Sequence, residues 1–200
     1  LQKIIKDNKY QLKIFSDDNL ADYIAESLKN KKIVCLCRER MEFGPRALCH
    51  RSIFCDCTDK ATNDWLNKQL SRTEFMPFAP SVMAEKAADY FLGYKQEHVA
   101  SEYMTITYDV AKTYRSRIPA VVHVDGTARP QVVHSRMEPF YHRILSEYYK
   151  LSGIPLIINT SFNVHEEPIV CTPRDAIRTY KKNAVDILVM DNYVLRTSQE

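Results

Sequence analysis

"EPFYHRILSEYYKLSGIPLIINTSFN", residues 138 to 163, changes its hydrophobic rhythm in the middle. The first part reads as a long helix, and Gly153 stands where such a helix ends. From Ile154 the chain becomes an almost unbroken apolar run, which reads as a buried strand. That strand leads into Asn159, Thr160, Ser161 and Asn163. If the backbone stays extended, Asn159, Ser161 and Asn163 share one face. Small polar groups at a strand's end are placed to meet a ligand in an open α/β sheet. The competing reading is a local Asx or Ser turn.

The same alternation runs outward in both directions. DDNLADYIAESLKNKK reads as an amphipathic helix with Asp17 or Asp18 as cap, a stripe of Leu20, Ile24 and Leu28, and Lys29, Lys31 and Lys32 at its C-terminus. KIVCLC and RSIFCDC read as strands on either side of a Gly44-Pro45 turn. ATNDWLNKQL reads as a helix with Trp65 and Leu66 inward, APSVM as a strand, and AEKAADYF as a helix. YMTITYDV reads as a strand and AKTYRSR as a loop. IPAVVHVDGTARPQVVHS reads as two strands about Asp125-Gly126. TPRDAIRTYKKNA reads as a helix with Thr172 as N-cap and Pro173 at N1. VDILVMDNYVL closes with one or two strands. Helices and strands interleave without strict βαβ periodicity, so the expected class is α/β with a mixed sheet.

Two hundred residues with net charge +3 suit a soluble globular chain and give no field strong enough to predict nucleic-acid binding. No apolar run approaches the ~20 residues of a membrane span. There is no signal-peptide h-region and no initial Met, so the expectation is a cytoplasmic fragment of a longer protein. Six cysteines include two C-x-C pairs, whose spacing fits strand faces better than a structural zinc site. With only four glycines, neither a P-loop nor G-x-G-x-x-G can be written, so any phosphate must be held by side chains or helix N-termini.

Four segments concentrate such side chains. ERMEFGPRALCHRS, residues 39 to 52, sets arginines around a Gly-Pro turn. NKQLSRTEFMPFAPSV, residues 67 to 82, places Lys68 and Arg72 four apart on one helix face. HVDGTARPQ, residues 123 to 131, puts Thr127, Arg129 and Gln131 in register on one strand face beside His123 and Asp125. NTSFN, residues 159 to 163, is the fourth. Taken singly, the first two read equally well as solvated surface charge.

In this order and spacing, MEFGPRAL, PFAPSV, HVDGTARPQVV and NTSFNVHEEPIVCTPRDAI resemble the C-terminal domain of NodU/TobZ-type O-carbamoyltransferases. The resemblance covers about residues 17 to 196. It implies one YrdC-like domain over residues 1 to 200, with a twisted mixed sheet flanked by helices and a basic cavity. It also implies a longer two-domain protein, whose N-terminal actin/Hsp70-like domain holds iron and the hydroxyl acceptor. In the C-terminal domain, carbamoyl phosphate and ATP, the latter with Mg, are expected to form carbamoyl-adenylate. Partners are then these two substrates and the N-terminal domain in cis, with no membrane or nucleic acid.

On this resemblance Arg46, Arg129, Ser161 and Asn163 are the catalytic candidates, and no residue is assigned to a metal. Arg51, Lys68, Arg72, His123, Asp125, Thr127 and Asn159 are the substrate- or nucleotide-binding candidates. The chain departs from the pattern at four places. Leu70 and Met76 stand where it carries cations, and Glu39 and Cys49 stand where it carries glycine. Lys68, Arg115 or Arg117 are the candidates to replace the lost cations. The alternative expectation is a non-catalytic nucleotide- or RNA-binding module of the same shape.

Overall fold

The computed structural model describes residues 10–69, 78–164, 166–182 and 185–197. In chain order the strands are β1 (Tyr10–Ile14), β2 (Val34–Cys37), β3 (Arg51–Cys55), β4 (Ala79–Met83), β5 (Tyr108–Asp109), β6 (Thr127–Ala128), β7 (Gln131–Val133), β8 (Leu156–Ser161), β9 (Ile187–Met190) and β10 (Tyr193–Thr197). The longer helices are α1 (Asp17–Lys29), α2 (Ala61–Gln69), α3 (Pro139–Ser152) and α4 (Pro173–Lys182). Among the described residues, eight strands form one mixed sheet in the order β1-β10-β9-β2-β3-β8-β4-β7, while β5 and β6 pair separately. Among the described strand pairs, β2–β9 and β4–β7 are parallel and the others antiparallel.

The centre of the sheet is apolar on both faces. Every residue of β2, β3, β4 and β9 is buried, as expected of strands covered on two sides. α1 packs along α3, and α4 lies against β9 and β2. In α1 the periodic Leu20, Ile24 and Leu28 are all buried, together with Ala21 and Ala25. In α3, Tyr141 stacks on Phe54 of β3 with ring centroids 4.8 Å apart. Five of the six cysteines are buried, and burial pushes the Cys35, Cys37, Cys49, Cys55 and Cys57 thiols up, so they pack as neutral apolar groups.

One carboxylate is built into this core. The Asp56 carboxylate, 3% exposed, accepts from Lys31 Nζ at 2.5 Å, from the Thr58 amide and hydroxyl, and from the Tyr148 hydroxyl. Burial works to raise its pKa, but the Lys31, Thr58 and Tyr148 bonds outweigh it and hold the carboxyl below its ordinary value.

Several local expectations need correction. Ser16, not Asp17 or Asp18, occupies the α1 N-cap; the two aspartates lie in the first turn, where they still complement the helix dipole. Lys31 leaves the helix end for Asp56. Trp65 is 39% exposed while Leu66 is fully buried, because consecutive helical residues point about 100° apart and cannot share a core face. Residues 103–107 are not a strand, and β5 covers only Tyr108–Asp109. VVHV is not a strand either; β6 pairs with β5 rather than with the residues before the turn. AKTYRSR contains a helical turn at Lys112–Arg115, and β1 pairs with β10 at the sheet edge.

Candidate functional site

The 39–50 loop is organised by a residue the sequence did not single out. Glu42 Oε1 accepts from three backbone amides, those of Leu48 at 2.6 Å, His50 at 2.8 Å and Arg51 at 3.1 Å. One carboxylate thereby folds the loop back on itself. The available signal was an acid three residues after Glu39, inside an otherwise basic, turn-forming stretch. Gly44 has φ +131°, a conformation that L side chains avoid, with open space where a Cβ would be. The requirement there is conformational, and the turn it makes carries Pro45 and Arg46 past the end of the sheet.

Arg46 and Ala47 of this loop line a cavity of about 110 Å³. Phe78 and Ala79, at the start of β4, form another wall, with Arg129 after β6 and Asn159, Thr160 and Ser161 at the end of β8. Met104, held at φ +53°, completes the lining. Two larger clefts, of about 240 and 290 Å³, lie beside Lys32 and Arg196 and beside Asp56 and Trp65, away from these motifs, and a third, of about 140 Å³, lies beside Arg38, Glu39 and Glu138. Charge singles out the smaller one: among the described residues its lining carries two arginines and no carboxylate.

Arg129 feels the charge of Arg46. Burial first, and then the positive charge of Arg46, lower the Arg129 pKa. Arg129 Nε is buried without a hydrogen-bond partner. Asn159 Oδ1 is a second buried atom without one, while its Nδ2 donates to Ala47 O and Gln131 Oε1. Ser161 Oγ donates to Asn163 Oδ1 at 2.8 Å, and Asn163 Nδ2 donates to Glu167 O at 2.8 Å. Asn163 thus fixes Ser161 from behind. An unpaired donor and two like charges on residues that line a small cavity are unfavourable without a ligand and suit an anionic one, while the unpaired Asn159 acceptor calls for a donor.

The structure therefore brings Arg46, Arg129, Asn159 and Ser161 together, with Asn163 in support. Other candidates lie elsewhere. Arg51 is 6% exposed and gives its guanidinium to four backbone carbonyls, so it is not among the cavity's lining residues. His123, Asp125 and Thr127 bond one another: Thr127 donates its amide and hydroxyl to Asp125 Oδ1, and His123 Nδ1 lies 3.0 Å from Thr127 Oγ1. They hold the turn that leads to Arg129. Burial keeps the His123 pKa below its usual value. Lys68 is exposed on α2, and Arg72, Leu70 and Met76 lie outside the described residues.

Neither spare arginine reaches the cavity lining. Arg115 donates to Val110 O, and its guanidinium covers Gly126, where a Cβ would sit 2.3 Å from Nη1. Arg117 donates to Gly153 O.

Comparison with known proteins places the chain. The family profile described as "Carbamoyltransferase C-terminus" matches residues 25–197. Protein MJ1051 of Methanocaldococcus jannaschii, itself uncharacterized, is 37% identical over 188 residues, covering 94% of this chain and 36% of that protein. Nodulation protein NolO of Bradyrhizobium diazoefficiens is 34% identical over 189 residues, covering 92% and 34%. The chain spans about a third of the length of such relatives. Among solved structures, full-length HypF in its phosphate- and nucleotide-bound form aligns with 86% of this chain and 25% of its own, with TM-score 0.57 and 18% identity. That likeness shows the fold, a YrdC-like mixed sheet flanked by helices.

Proposed function

The chain belongs to the carbamoyltransferase C-terminus family, and we propose that its arginine cavity is where carbamoyl phosphate and ATP are converted to carbamoyl-adenylate. The observation that carries this reading is the convergence of Arg46 and Arg129, with an unspent buried donor, on one cavity without a lining carboxylate. The chemistry balances in two steps. Water cleaves carbamoyl phosphate to carbamate and inorganic phosphate. A carbamate oxygen then attacks the ATP α-phosphorus, forming the C–O–P link of carbamoyl-AMP and releasing pyrophosphate.

Both steps gather negative charge, and fixed cations stabilise it best when they need not reorganise. Arg46 and Arg129 take that role. Ser161, held by Asn163, and Asn159 orient the carbamoyl end. At about 110 Å³ the cavity is well below the ~300 Å³ of ordinary ligand sites, so it takes the compact reacting end while the nucleotide extends beyond it. His123, Asp125 and Thr127 hold the turn behind Arg129. Magnesium enters with the triphosphate.

The hydroxyl acceptor, and iron, belong to an N-terminal actin/Hsp70-like domain in cis, since the family relatives are about three times longer. An ATP-driven transfer of this kind suits the cytoplasm. Calorimetry tests the site: the folded chain is expected to bind carbamoyl phosphate and AMP, and to release pyrophosphate from ATP only when carbamoyl phosphate is present. Failure to bind either ligand at millimolar concentration overturns the reading.

A further inference from the structure

We propose that Asn159 Oδ1 accepts a hydrogen bond from the N–H of the carbamoyl group and thereby selects a carbamoyl over an acyl substrate. The proposal rests on the reading of the cavity as a carbamoyl phosphate site.

Asn159 is 1% exposed and lines the cavity. Its amide orientation is decided by its neighbours. Nδ2 donates to Ala47 O at 3.2 Å, and a backbone carbonyl can only accept, so the NH2 end must face it. Nδ2 also donates to Gln131 Oε1 at 2.8 Å. Gln131 is fixed in turn: its Oε1 takes the Ser81 hydroxyl at 2.6 Å, and its Nε2 donates to Cys49 Sγ at 3.1 Å. The network spends the NH2 groups of both amides on protein partners and leaves Asn159 Oδ1 as a buried acceptor without a donor. A buried acceptor in that state loses a hydrogen bond's worth of stability, which a ligand N–H restores.

The ligand must therefore bring a donor to this atom and anionic oxygens to the arginines. A phosphate supplies only the second. The carbamoyl group supplies the first, since its amide N–H lies a few bonds from the phosphoryl oxygens. Adenine and ribose also carry donors. However, the base is far from the phosphates, and a cavity of about 110 Å³ that already takes the reacting end has no room for it. An acetyl group has the same shape with a methyl in place of NH2 and leaves Oδ1 unpaired. Sites that hydrogen-bond a substrate N–H discriminate strongly against the analogue that lacks it.

The test is calorimetric titration with carbamoyl phosphate, acetyl phosphate and inorganic phosphate, on the unsubstituted protein and on Asn159→Ala. The unsubstituted protein is expected to bind carbamoyl phosphate at least about tenfold more tightly than acetyl phosphate. Asn159→Ala should bring the two within about twofold. Equal binding of the two acyl phosphates by the unsubstituted protein means that Oδ1 is served by water, and it overturns this inference while the carbamoyl phosphate site stands. Retention of the preference in Asn159→Ala also overturns it. Binding of none of the three phosphates removes both readings. Where Asn159→Ala does not fold, the stable pair phosphonoacetamide and 2-oxopropylphosphonate on the unsubstituted protein decides the matter, the amide being expected to bind about tenfold more tightly.

Discussion

Arg51 spends its guanidinium on the carbonyls of Cys171, Arg38, His50 and Glu39, at 2.8 to 3.1 Å. Arg129 sits beside the cavity with Nε buried and unpaired, and burial, then the charge of Arg46, depress its pKa. Both are arginines in motif stretches near strand ends, and the sequence treats them alike. The difference lies in what their donors meet. A guanidinium saturated by backbone carbonyls braces a loop, because a carbonyl makes no demand for further charge. A guanidinium with a buried donor unspent, next to a second cation, is a cost to the fold that an anion removes.

The largest effect should come from breaking the brace. Arg51→Met strips a partner from four carbonyls, at about 1 kcal/mol each, for a loss of roughly 4 kcal/mol. At ~2–4 °C per kcal/mol for a domain of this size, the melting temperature should drop by about 10 °C in a calorimetric scan. Arg51→Lys should recover little, because an ammonium is a compact point donor and cannot fork toward four acceptors. Loss of phosphate binding with the melting temperature intact would reverse the comparison.

Arg129→Met should do the opposite. It deletes a buried donor that has no protein partner and relieves the repulsion from Arg46, so the melting temperature should hold or rise slightly. Binding of carbamoyl phosphate should weaken by about tenfold or more, the value of a charge-assisted hydrogen bond. A melting temperature lowered as far as in Arg51→Met would show that Arg129 is a second brace.

This contrast marks what was legible in the sequence. The apolar stretches at 34–37, 53–55, 156–158 and 187–190 announced the central strands, because they are short, rich in β-branched residues and bounded by turn residues. Gly153 and Thr172-Pro173 marked helix limits through backbone chemistry that is local. β1 was missed because its register is set by β10, 187 residues away at the Tyr10–Thr197 pair, and not by its own pattern. The alternation in YMTITYDV misled for the converse reason: only Tyr108–Asp109 finds a partner strand. At the site, Arg46, Arg129, Asn159 and Ser161 were legible as motif residues, and the cavity lining contains all four. The separate fate of Arg51 was not legible, since the carbonyls that satisfy it come from three parts of the chain. Nor was Glu42, whose role is to collect amides exposed by a loop that only the fold creates.

The brace also accounts for a departure from the resembled pattern. Glu39 and Cys49 stand where that pattern carries glycine, and both keep positive φ, +54° and +99°. A left-handed conformation costs a non-glycine residue about 1–2 kcal/mol. Arg51 Nη2 holds the Glu39 carbonyl at 3.0 Å, so the brace offsets strain at the residue it grips. Cys49 cannot be relieved cleanly, because its buried sulfur also accepts from Gln131. Glu39 can. Glu39→Gly removes the strain, gives back roughly 0.5–1 kcal/mol through the freer unfolded chain, and loses ion pairs of the exposed Glu39 carboxylate with Arg38 and His50 that are worth little. The net should be a gain of about 0.5 kcal/mol, read as a rise of about 1–2 °C in melting temperature. In that background Arg51→Met should cost less than it does alone, because one of its four bonds no longer opposes a strained residue. Equal costs in the two backgrounds would mean that the strain at Glu39 is borne by the loop and not by the arginine.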